Sequence, residues 1–305
     1  MKLNLDPPIV NCSGIFSYPD VFELLDRKGA AFGGYVTKSI GLEERNGNKN
    51  PTVLEGEGFL MNSMALPNPG IEACIEELNG IQLTKPLIAS VFGFSVPDYR
   101  EVVRHLEEGV KYIAAYEINE SCPNIIPGET SISSRFGTDP RLTQELISSI
   151  RKITGKPIIA KITPNTENYV EVALAAEEAG ADYIGCSNTF DSTRLSGLSV
   201  ERDVLAGGLG GISGPLIKKY NLQIVRHVHE AIDKERTGII AYGGIGSSRD
   251  IVEYYLHGAE IFGLGTCIAY RRTTDDIVRD TKMIWREFQN YLQNNSRELR
   301  GAVNV

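Results

Sequence analysis

Short apolar runs alternate along the chain with longer amphipathic segments, which predicts a repeated strand–helix order. The predicted strands lie near 8–13, 34–38, 87–92, 112–118, 157–162, 182–187, 238–242 and 260–264. Eight such units in 305 residues favour the α/β fold known as the (β/α)8 TIM barrel. A doubly wound parallel sheet is the second possibility.

The junctions between the predicted helices and strands share a pattern in which a charged or polar helix end is followed by a glycine and an apolar run. The glycines are Gly29, Gly109, Gly180 and Gly258. Each is expected to end a helix in the left-handed conformation, which glycine adopts without steric cost. Ser95, Asp139 and Ser247 have the side chains and spacing of residues that begin helices.

Three connections are too long for simple turns, and each follows a predicted strand. They span residues 41–69, 119–139 and 188–214. Loops after the strands lie on the C-terminal face of a barrel, where active sites form. No linker divides the sequence, so residues 1–305 are expected to form one domain with extended loops on that face.

Composition is that of an ordinary soluble protein, with 42% hydrophobic and 23% charged residues. The formal net charge is −8 and no basic block occurs, which argues against a nucleic-acid partner. No apolar stretch approaches the roughly 20 residues of a membrane helix, and residues 1–10 lack the features of a signal peptide. The expected location is therefore cytoplasmic, without membrane association.

The cysteines and histidines restrict the chemistry. The five cysteines are odd in number and have no CxxC spacing, which disfavours a disulfide framework or an iron–sulfur cluster within the chain. The four histidines all fall in predicted helices, away from strand ends. Neither a histidine base nor a metal site is expected.

Polar residues cluster instead where the predicted strands end. They are Ser13, Gly14, Lys38, Ser39, Asn119, Cys122, Asn124, Lys161, Asn188, Thr189, Gly243, Gly244, Gly265 and Thr266. A barrel brings such residues together although they span the sequence. A lysine buried at a barrel mouth needs an anionic or electron-rich partner, and a flavin meets that need.

Cys122 lies between two side-chain amides in the run Asn119-Glu120-Ser121-Cys122-Pro123-Asn124, directly after a predicted strand. A thiol can move a proton, and flanking amides can orient a flat polar ligand. The alternative is a structural cysteine, because a half-buried cysteine after a strand is commonly structural.

Two glycine-rich runs also precede helices. In the run 243–248, glycines would allow main-chain N–H groups to approach a phosphate at a helix N-terminus; a simple turn is the alternative. The run 207–215 is interpreted as a close approach of the backbone to a ligand, rather than a flexible linker, because Ser213-Gly214-Pro215 leads into a helix.

Taken together, these motifs resemble the dihydroorotate dehydrogenase family, specifically its soluble class 1 with a cysteine base. The matching motifs occur in the family's order: Asn11-Cys12-Ser13-Gly14, Thr37-Lys38-Ser39, Asn62-Ser63-Met64-Ala65-Leu66-Pro67-Asn68, Asn119-Glu120-Ser121-Cys122-Pro123-Asn124, Lys161-Ile162-Thr163-Pro164, Asn188-Thr189, Gly210-Gly211-Ile212-Ser213-Gly214-Pro215, Gly243-Gly244-Ile245 and Gly265-Thr266. They cover nearly the whole chain, and jointly they are specific.

The resemblance implies a barrel that binds FMN and oxidises dihydroorotate to orotate in de novo pyrimidine biosynthesis. The implied FMN contacts are Ser13, Gly14, Lys38, Ser39, Asn119, Lys161, Ser213, Gly214, Gly243, Gly244, Gly265 and Thr266. The implied substrate contacts are Lys38, Asn62, Met64, Ala65, Leu66, Asn119, Asn124, Asn188 and Thr189. Cys122 would be the base and Lys38 would also be catalytic, while residues 125–137 could form a lid with Gly128 and Gly137 as hinges.

Two residues depart from the family's pattern: Glu120 stands where an apolar residue is usual, and Ala65 where glycine is usual. The Asn62-Ser63-Met64 run resembles the subclass that uses fumarate as oxidant. The run 210–215 resembles the subclass that pairs with an FAD and iron–sulfur subunit. The oxidant therefore stays open, and the resemblance suggests a homodimer.

Other functions remain open on the sequence alone. A second FMN barrel could act on another dihydropyrimidine, although the asparagine at 124 and the absence of cysteine from 125–137 argue against it. A non-catalytic barrel that binds flavin or a phosphate ligand would have the same fold.

Overall fold

The computed structural model describes residues 2–120, 136–194, 205–208, 210–269, 271 and 273–295. The described strands are β1 (Ile9–Asn11), β2 (Tyr35–Val36), β3 (Val53–Gly56), β4 (Phe59–Asn62), β5 (Leu87–Val91), β6 (Ile113–Asn119), β7 (Ile158–Lys161), β8 (Tyr183–Cys186), β9 (Phe190–Asp191), β10 (Gly211–Ser213), β11 (Gly238–Tyr242) and β12 (Ile261–Leu264). The described α-helices are α1 (Asp20–Arg27), α2 (Ile71–Asn79), α3 (Val96–Gly109), α4 (Pro140–Arg151), α5 (Tyr169–Glu178), α6 (Lys218–Ala231), α7 (Ser248–Leu256), α8 (Thr266–Ala269) and α9 (Thr274–Asn294). Short 3-10 turns span Ser192–Arg194 and Pro215–Ile217.

The main sheet contains eight parallel strands in the order β1-β12-β11-β8-β7-β6-β5-β2. The two ends of this order meet, since the Gly33 N–H donates to the Ile9 carbonyl over 2.8 Å. The Asn11 side chain completes the closure by hydrogen bonding to both the N–H and the carbonyl of Val36, at 2.9 and 2.7 Å. The predicted (β/α)8 barrel and its eight strands are confirmed, with helices between successive strands.

The apolar core has two layers, because alternate residues of each strand point to opposite faces. The inner layer fills the barrel with side chains that include Val36, Ile88, Ala115, Ile159 and Ile240. The outer layer packs the helices against the barrel, with Val102 and Leu106 of α3 and Leu146 of α4 fully buried. Burial of a side chain such as Ile or Leu contributes about 1.5–3 kcal/mol, so the layers together hold the strand ends in place.

The three predicted helix starts are confirmed. Ser95 and Ser247 each accept a hydrogen bond from the main-chain N–H three residues later, at 3.3 Å in both cases. Asp139 accepts from the Arg141 N–H at 2.9 Å, with Pro140 in the first turn of α4.

The predicted glycine helix ends hold at three junctions and fail at the fourth. Gly29, Gly180 and Gly258 have φ values of 68°, 98° and 98°. Gly109 is instead the last helical residue of α3, and a Cβ there would lie 2.9 Å from the Ile75 side chain on α2. The prediction for Gly109 was wrong, because this glycine allows two helices to pack closely and does not reverse the chain.

The long loops contain a second sheet that the sequence did not predict. Its four antiparallel strands have the order β3-β4-β10-β9, and they come from the loops that follow β2 and β8. Gly211 of β10 lies opposite both Asn62 of β4 and Asp191 of β9. Such short strands gain their stability from pairing between distant segments, which a local pattern does not reveal. Among the described residues, no helix combines the length and the apolar character needed to cross a membrane.

Candidate functional site

A cavity of about 630 Å³ opens at the carboxyl ends of the barrel strands, beneath the second sheet. Its size lies within the range of roughly 300–1,000 Å³ that is typical of small-molecule sites. The cavity wall includes these residues predicted from sequence: Ser13, Gly14, Lys38, Ser39, Asn62, Met64, Ala65, Leu66, Asn119, Lys161, Asn188, Thr189, Ser213, Gly243, Gly244, Gly265 and Thr266. The fold therefore brings together residues separated by most of the chain length.

Gly214 lies on an adjoining cavity of about 220 Å³, which shares Gly244 and Thr266 with the larger one. Cys122 and Asn124 lie outside the described residues, as does the segment 125–135 of the predicted lid. Gly137, the last residue of the predicted lid 125–137, donates its N–H to the Glu120 carbonyl over 3.1 Å.

Two amides are held against each other on one wall. Asn119 ends β6, and its Oδ1 accepts a hydrogen bond of 3.1 Å from Asn188 Nδ2. Asn119 Nδ2 donates to Ser39 Oγ over 3.0 Å, and Asn188 Oδ1 accepts from the Thr189 N–H at 2.8 Å. Because several bonds fix the amide planes, this wall can present oriented donors and acceptors to a flat polar ligand.

The opposite wall comes from the loop after β4. Asn62 donates from Nδ2 to the Gly211 carbonyl over 3.2 Å, which ties the wall to the second sheet. Ala65 and Leu66 adopt left-handed backbone conformations, with φ values of 56° and 57°. Non-glycine residues pay a steric cost there, so Ala65 occupies a conformation that favours glycine.

Lys161 ends β7 and lies at the floor of the cavity. Its Nζ is 3.3 Å from Glu117 Oε1 and 4.6 Å from the centre of the Tyr242 ring. Glu117 is fully buried, and its other oxygen accepts a 2.7 Å hydrogen bond from the Tyr242 hydroxyl. Burial and the nearby Glu117 charge raise the pKa of Tyr242, so its phenol keeps the proton that it donates.

Lys38, two residues beyond Val36 at the end of β2, lines the same cavity. Burial lowers the pKa of its ammonium group. Within the described residues, Lys38 Nζ makes neither an ion pair nor a hydrogen bond. Its charge is therefore available to an anionic ligand in this part of the structure.

Sequence reasoning missed Glu117, Ser90 and Tyr242. Ser90 Oγ donates to Glu117 Oε1 over 2.9 Å and lies 3.0 Å from Ser39 Oγ. The available signals were local: Glu117 is the one charged residue in the apolar run 112–118, and Tyr242 directly precedes Gly243. A charge inside a buried strand needs a partner, and that requirement points to Lys161.

Glu120 points away from the cavity. It follows β6, and its Oε2 accepts a 2.8 Å hydrogen bond from Thr143 Oγ1 on α4, outside the barrel. Burial raises the pKa of this carboxyl to about 8, while the Thr143 hydrogen bond opposes the shift.

The glycine turn after β11 forms the other end of the cavity. Gly243 and Gly244 have φ values of 107° and 73°, and α7 begins shortly after them. Asp250 of α7 accepts hydrogen bonds from the Gly246 N–H at 2.9 Å and the Ser247 hydroxyl at 2.7 Å, and it pairs with Lys218. The Gly246 N–H is thus already used by the protein.

Within the run 207–215, Gly210 and Gly211 serve packing within the protein, while the expected approach of the run to a ligand stays a prediction. A Cβ on Gly211 would lie 2.1 Å from Thr189 Oγ1, and one on Gly210 would lie 2.7 Å from the Met61 side chain. These glycines allow the strands of the second sheet to approach each other. The Pro215–Ile217 turn and α6 follow them, as the sequence predicted.

Comparison with known proteins identifies the chain's relatives. The profile of the family described as dihydroorotate dehydrogenase matches residues 1–283. The chain belongs to this family. It is 36% identical over 265 residues to the protein from Pyrococcus abyssi named dihydroorotate dehydrogenase B (NAD(+)), catalytic subunit, covering 87% of this chain and 84% of the relative. A protein of the same name from Bacillus pumilus is 36% identical over 266 residues, covering 87% and 83%.

A third relative with that name, from Methanothermobacter thermautotrophicus, is 34% identical over 270 residues and covers 88% of this chain and 86% of its own length. As a member of the dihydroorotate dehydrogenase family, the chain is an oxidoreductase, and the family implies a flavin cofactor.

The residues present fit a flavin. Gly14 has a φ of 82°, and a Cβ built there would meet no protein atom within 4 Å, so the backbone after β1 faces open space. Lys161 brings a positive charge to the cavity floor, which suits the negative charge of a reduced flavin ring. The smaller cavity, lined by Gly214, Gly244 and Thr266 among others, has room for a further part of such a cofactor. In the described portion of the chain, no group of three or more His, Cys, Asp or Glu side chains is placed to hold a metal ion.

Proposed function

We propose that this chain is a dihydroorotate dehydrogenase that oxidises dihydroorotate to orotate in pyrimidine biosynthesis, with FMN as its cofactor. One observation carries the proposal: a single cavity in a member of this family combines Lys161 at its floor with Asn119, Asn188 and Lys38 on its walls. Residues 1–305 act as one FMN-binding domain.

The cofactor occupies the floor and the glycine-rich end of the cavity. When bound, FMN supplies the hydride acceptor. Lys161 balances negative charge at the floor, and Thr266 donates to Ser213 over 2.8 Å, which fixes two hydroxyl groups near the proposed phosphate end. The proposed FMN contacts are Ser13, Gly14, Lys38, Ser39, Asn119, Lys161, Ser213, Gly214, Gly243, Gly244, Gly265 and Thr266.

Dihydroorotate matches the chemistry of the walls. Its carboxylate is anionic and Lys38 is a half-buried cation without a carboxylate beside it in the described residues. Its ring has amide donors and acceptors, which the side chains of Asn62, Asn119 and Asn188 can pair. The proposed substrate contacts are Lys38, Asn62, Met64, Ala65, Leu66, Asn119, Asn124, Asn188 and Thr189.

Cys122 is proposed as the base that removes the proton from C5 of dihydroorotate. It lies outside the described residues, three positions after Asn119, which ends β6 in the cavity wall. Residues 125–137 are proposed to close over the ligand. A Gly128→Pro variant with unchanged turnover and substrate affinity would remove the lid from the mechanism.

Electrons then leave for another protein. The relatives are named as catalytic subunits of NAD(+) enzymes. The run 210–215 resembles the subclass that pairs with an FAD and iron–sulfur subunit, while Asn62-Ser63-Met64 resembles the subclass that uses fumarate. We therefore favour an FAD and iron–sulfur subunit as the oxidant of this chain, and a homodimer in the cytoplasm as its state. Fumarate supporting full turnover of the purified chain alone would overturn the choice of oxidant.

The test is anaerobic mixing of the purified, FMN-loaded protein with dihydroorotate while the visible flavin absorbance is followed. Rapid bleaching is expected for the wild type, and a loss of most of that rate is expected for Cys122→Ala with FMN still bound. Full activity of Cys122→Ala would remove its role as base. Bleaching only with another dihydropyrimidine would reassign the substrate, and failure to take up FMN would refute the proposal.

A further inference from the structure

Glu117, Lys161 and Tyr242 form a closed triangle at the cavity floor, which we call the floor triad. Glu117 accepts from the Tyr242 hydroxyl at 2.7 Å and pairs with Lys161 at 3.3 Å, while the Lys161 ammonium lies 4.6 Å from the Tyr242 ring centre. Lys161 is 6% exposed and Tyr242 is 2% exposed, and both line the cavity. Glu117 lies behind them with no exposed surface.

The neighbouring strands are built to admit the Tyr242 ring. Gly263 of β12 lies opposite Tyr242 in the sheet, and a Cβ there would be 2.2 Å from the ring. A Cβ on Gly185 of β8, on the other side, would be 2.9 Å from the ring. With side chains excluded on both sides, the ring has a fixed place over the lysine.

The carboxylate of Glu117 is saturated by this arrangement. Its Oε1 receives Lys161 and the Ser90 hydroxyl, and its Oε2 receives the Tyr242 hydroxyl. Hydrogen bonds to a carboxylate stabilise its charged form, and in a buried site they act in a medium of low dielectric constant. The negative charge that Glu117 exerts on Lys161 is therefore shared with two hydroxyl donors.

We propose that Glu117 and Tyr242 are positioning residues that set how much positive charge Lys161 presents at the cavity floor. Glu117 holds the ammonium in place and partly cancels its charge. Tyr242 draws negative charge toward its hydroxyl and thereby limits that cancellation. The proposal rests on the proposed function, because the group that would sense the charge is the flavin.

The two residues consequently act in opposite directions on the flavin's two-electron midpoint potential. In Glu117→Gln the carboxylate charge is lost, the floor becomes more positive, and the potential is expected to rise. In Tyr242→Phe the ring stays but the donor is lost, Glu117 cancels more of the lysine charge, and the potential is expected to fall. We expect each change to alter the relative affinity for reduced and oxidised flavin about tenfold, which corresponds to about 30 mV for a two-electron couple.

The experiment measures midpoint potentials of the FMN-loaded wild type and variants by anaerobic dye equilibration. Tyr183→Phe is the matched control, because it removes a phenol from the same barrel interior, where the Tyr183 oxygen accepts from the Leu3 N–H at 2.9 Å. The control potential should equal that of the wild type. Flavin dissociation constants are measured in parallel, so that loss of binding is not mistaken for a shift in potential.

Shifts of opposite sign in Glu117→Gln and Tyr242→Phe support the proposal. Unchanged potentials, shifts of the same sign, or an equal shift in Tyr183→Phe would overturn it. If Glu117→Gln does not fold, Tyr242→Phe decides by itself, and an unchanged potential there refutes the role of the hydroxyl. A protein that binds no FMN would instead refute the proposed function.

Discussion

Lys38 and Lys161 bring the same charge to the same cavity, but their surroundings differ. Lys161 has a buried carboxylate on one side and an aromatic ring over it, and its position is fixed before any ligand binds. Lys38 has lost hydration without gaining an ion pair among the described residues, and burial lowers its pKa. Lys161 therefore belongs to the protein's permanent charge pattern, whereas the proposed partner of Lys38 is the ligand.

The same contrast separates two glutamates at the end of β6. Glu117 points into the barrel and has three partners, whereas Glu120 points outward and has the Thr143 hydroxyl. One of the Glu120 oxygens has no hydrogen-bond partner in the described structure. A buried carboxyl with so few partners favours its neutral form, in agreement with its raised pKa.

The largest expected effect is a difference in protein stability between variants of the two lysines. Lys161→Met leaves the Glu117 charge buried and uncompensated, and should lower the free energy of unfolding by about 3–5 kcal/mol. Lys38→Met removes a desolvated charge and should change it by less than about 1 kcal/mol. Urea unfolding of the flavin-free proteins measures both values.

A double variant tests the reason for that difference. If the loss in Lys161→Met comes from the stranded Glu117 charge, adding Glu117→Gln should recover most of it. No recovery in the double variant would show that lost packing, not charge, caused the effect. Equal losses of unfolding free energy in Lys161→Met and Lys38→Met would show that the two lysines contribute alike to stability.

Lys38 should matter for the use of dihydroorotate although it matters little for stability. Lys38→Met should lower kcat/KM for dihydroorotate about 10- to 100-fold, since a hydrogen bond to a charged group is worth about 1.5–3 kcal/mol. The exposed Lys282 provides the control, because Lys282→Met makes the same substitution on α9. Reduction rates at a series of dihydroorotate concentrations measure the effect, and equal values for both variants would contradict a ligand-binding role for Lys38.

The glutamate contrast predicts a pH dependence of stability. The folded protein keeps the Glu120 proton up to a pH of about 8, whereas an ordinary glutamate loses it near 4.5. The folded state therefore binds more protons than the unfolded state between these values, and stability falls as the pH rises from about 4.5 to about 8. Glu120→Gln should remove this fall, which is on the order of a few kcal/mol in the free energy of unfolding, from the dependence of stability on pH.

Unfolding by urea across this pH range provides the measurement for Glu120. Glu76→Gln on the exposed face of α2 is the matched control and should keep the wild-type profile. A Glu120→Gln profile parallel to that of the wild type would show that the carboxyl is ionised in the folded protein at neutral pH.

The smallest effect concerns the backbone of the cavity wall formed by the loop after β4. Ala65→Gly loses a buried methyl group but relieves the left-handed conformation, so we expect a change within about 0.5 kcal/mol. Ala173→Gly, at an equally buried helical site in α5, should cost about 2 kcal/mol. Thermal or urea unfolding compares them, and equal costs would mean that the wall is unstrained at Ala65.

Much of the barrel followed from local patterns. The apolar runs predicted all eight barrel strands, and Ser95, Asp139 and Ser247 predicted the starts of their helices. These features depend on residues close in sequence, so the chain alone contains the information. The prediction for Gly109 was wrong because a glycine can either end a helix or allow two helices to pack closely. The position of Ile75 on α2 decides between the two roles.

The sequence could predict that the strand-end residues lie together, because a barrel places the carboxyl ends of all its strands on one face. The strand-end residues that the structure describes do line the cavity. Their roles stay predictions. The contacts of the floor triad could not be predicted in that way. Tyr242 and Glu117 are 125 positions apart, and their contact depends on glycines in two further strands.

The order of strands and helices, the family and the set of polar residues at the barrel mouth could all be predicted from the chain, since each is expressed in local spacing and residue type. Tertiary contacts placed the Glu117 carboxylate beside Lys161, turned Glu117 and Glu120 in different directions, and joined two loops in a second sheet. These outcomes depend on strand register and on the space that distant glycines leave, which no local pattern encodes.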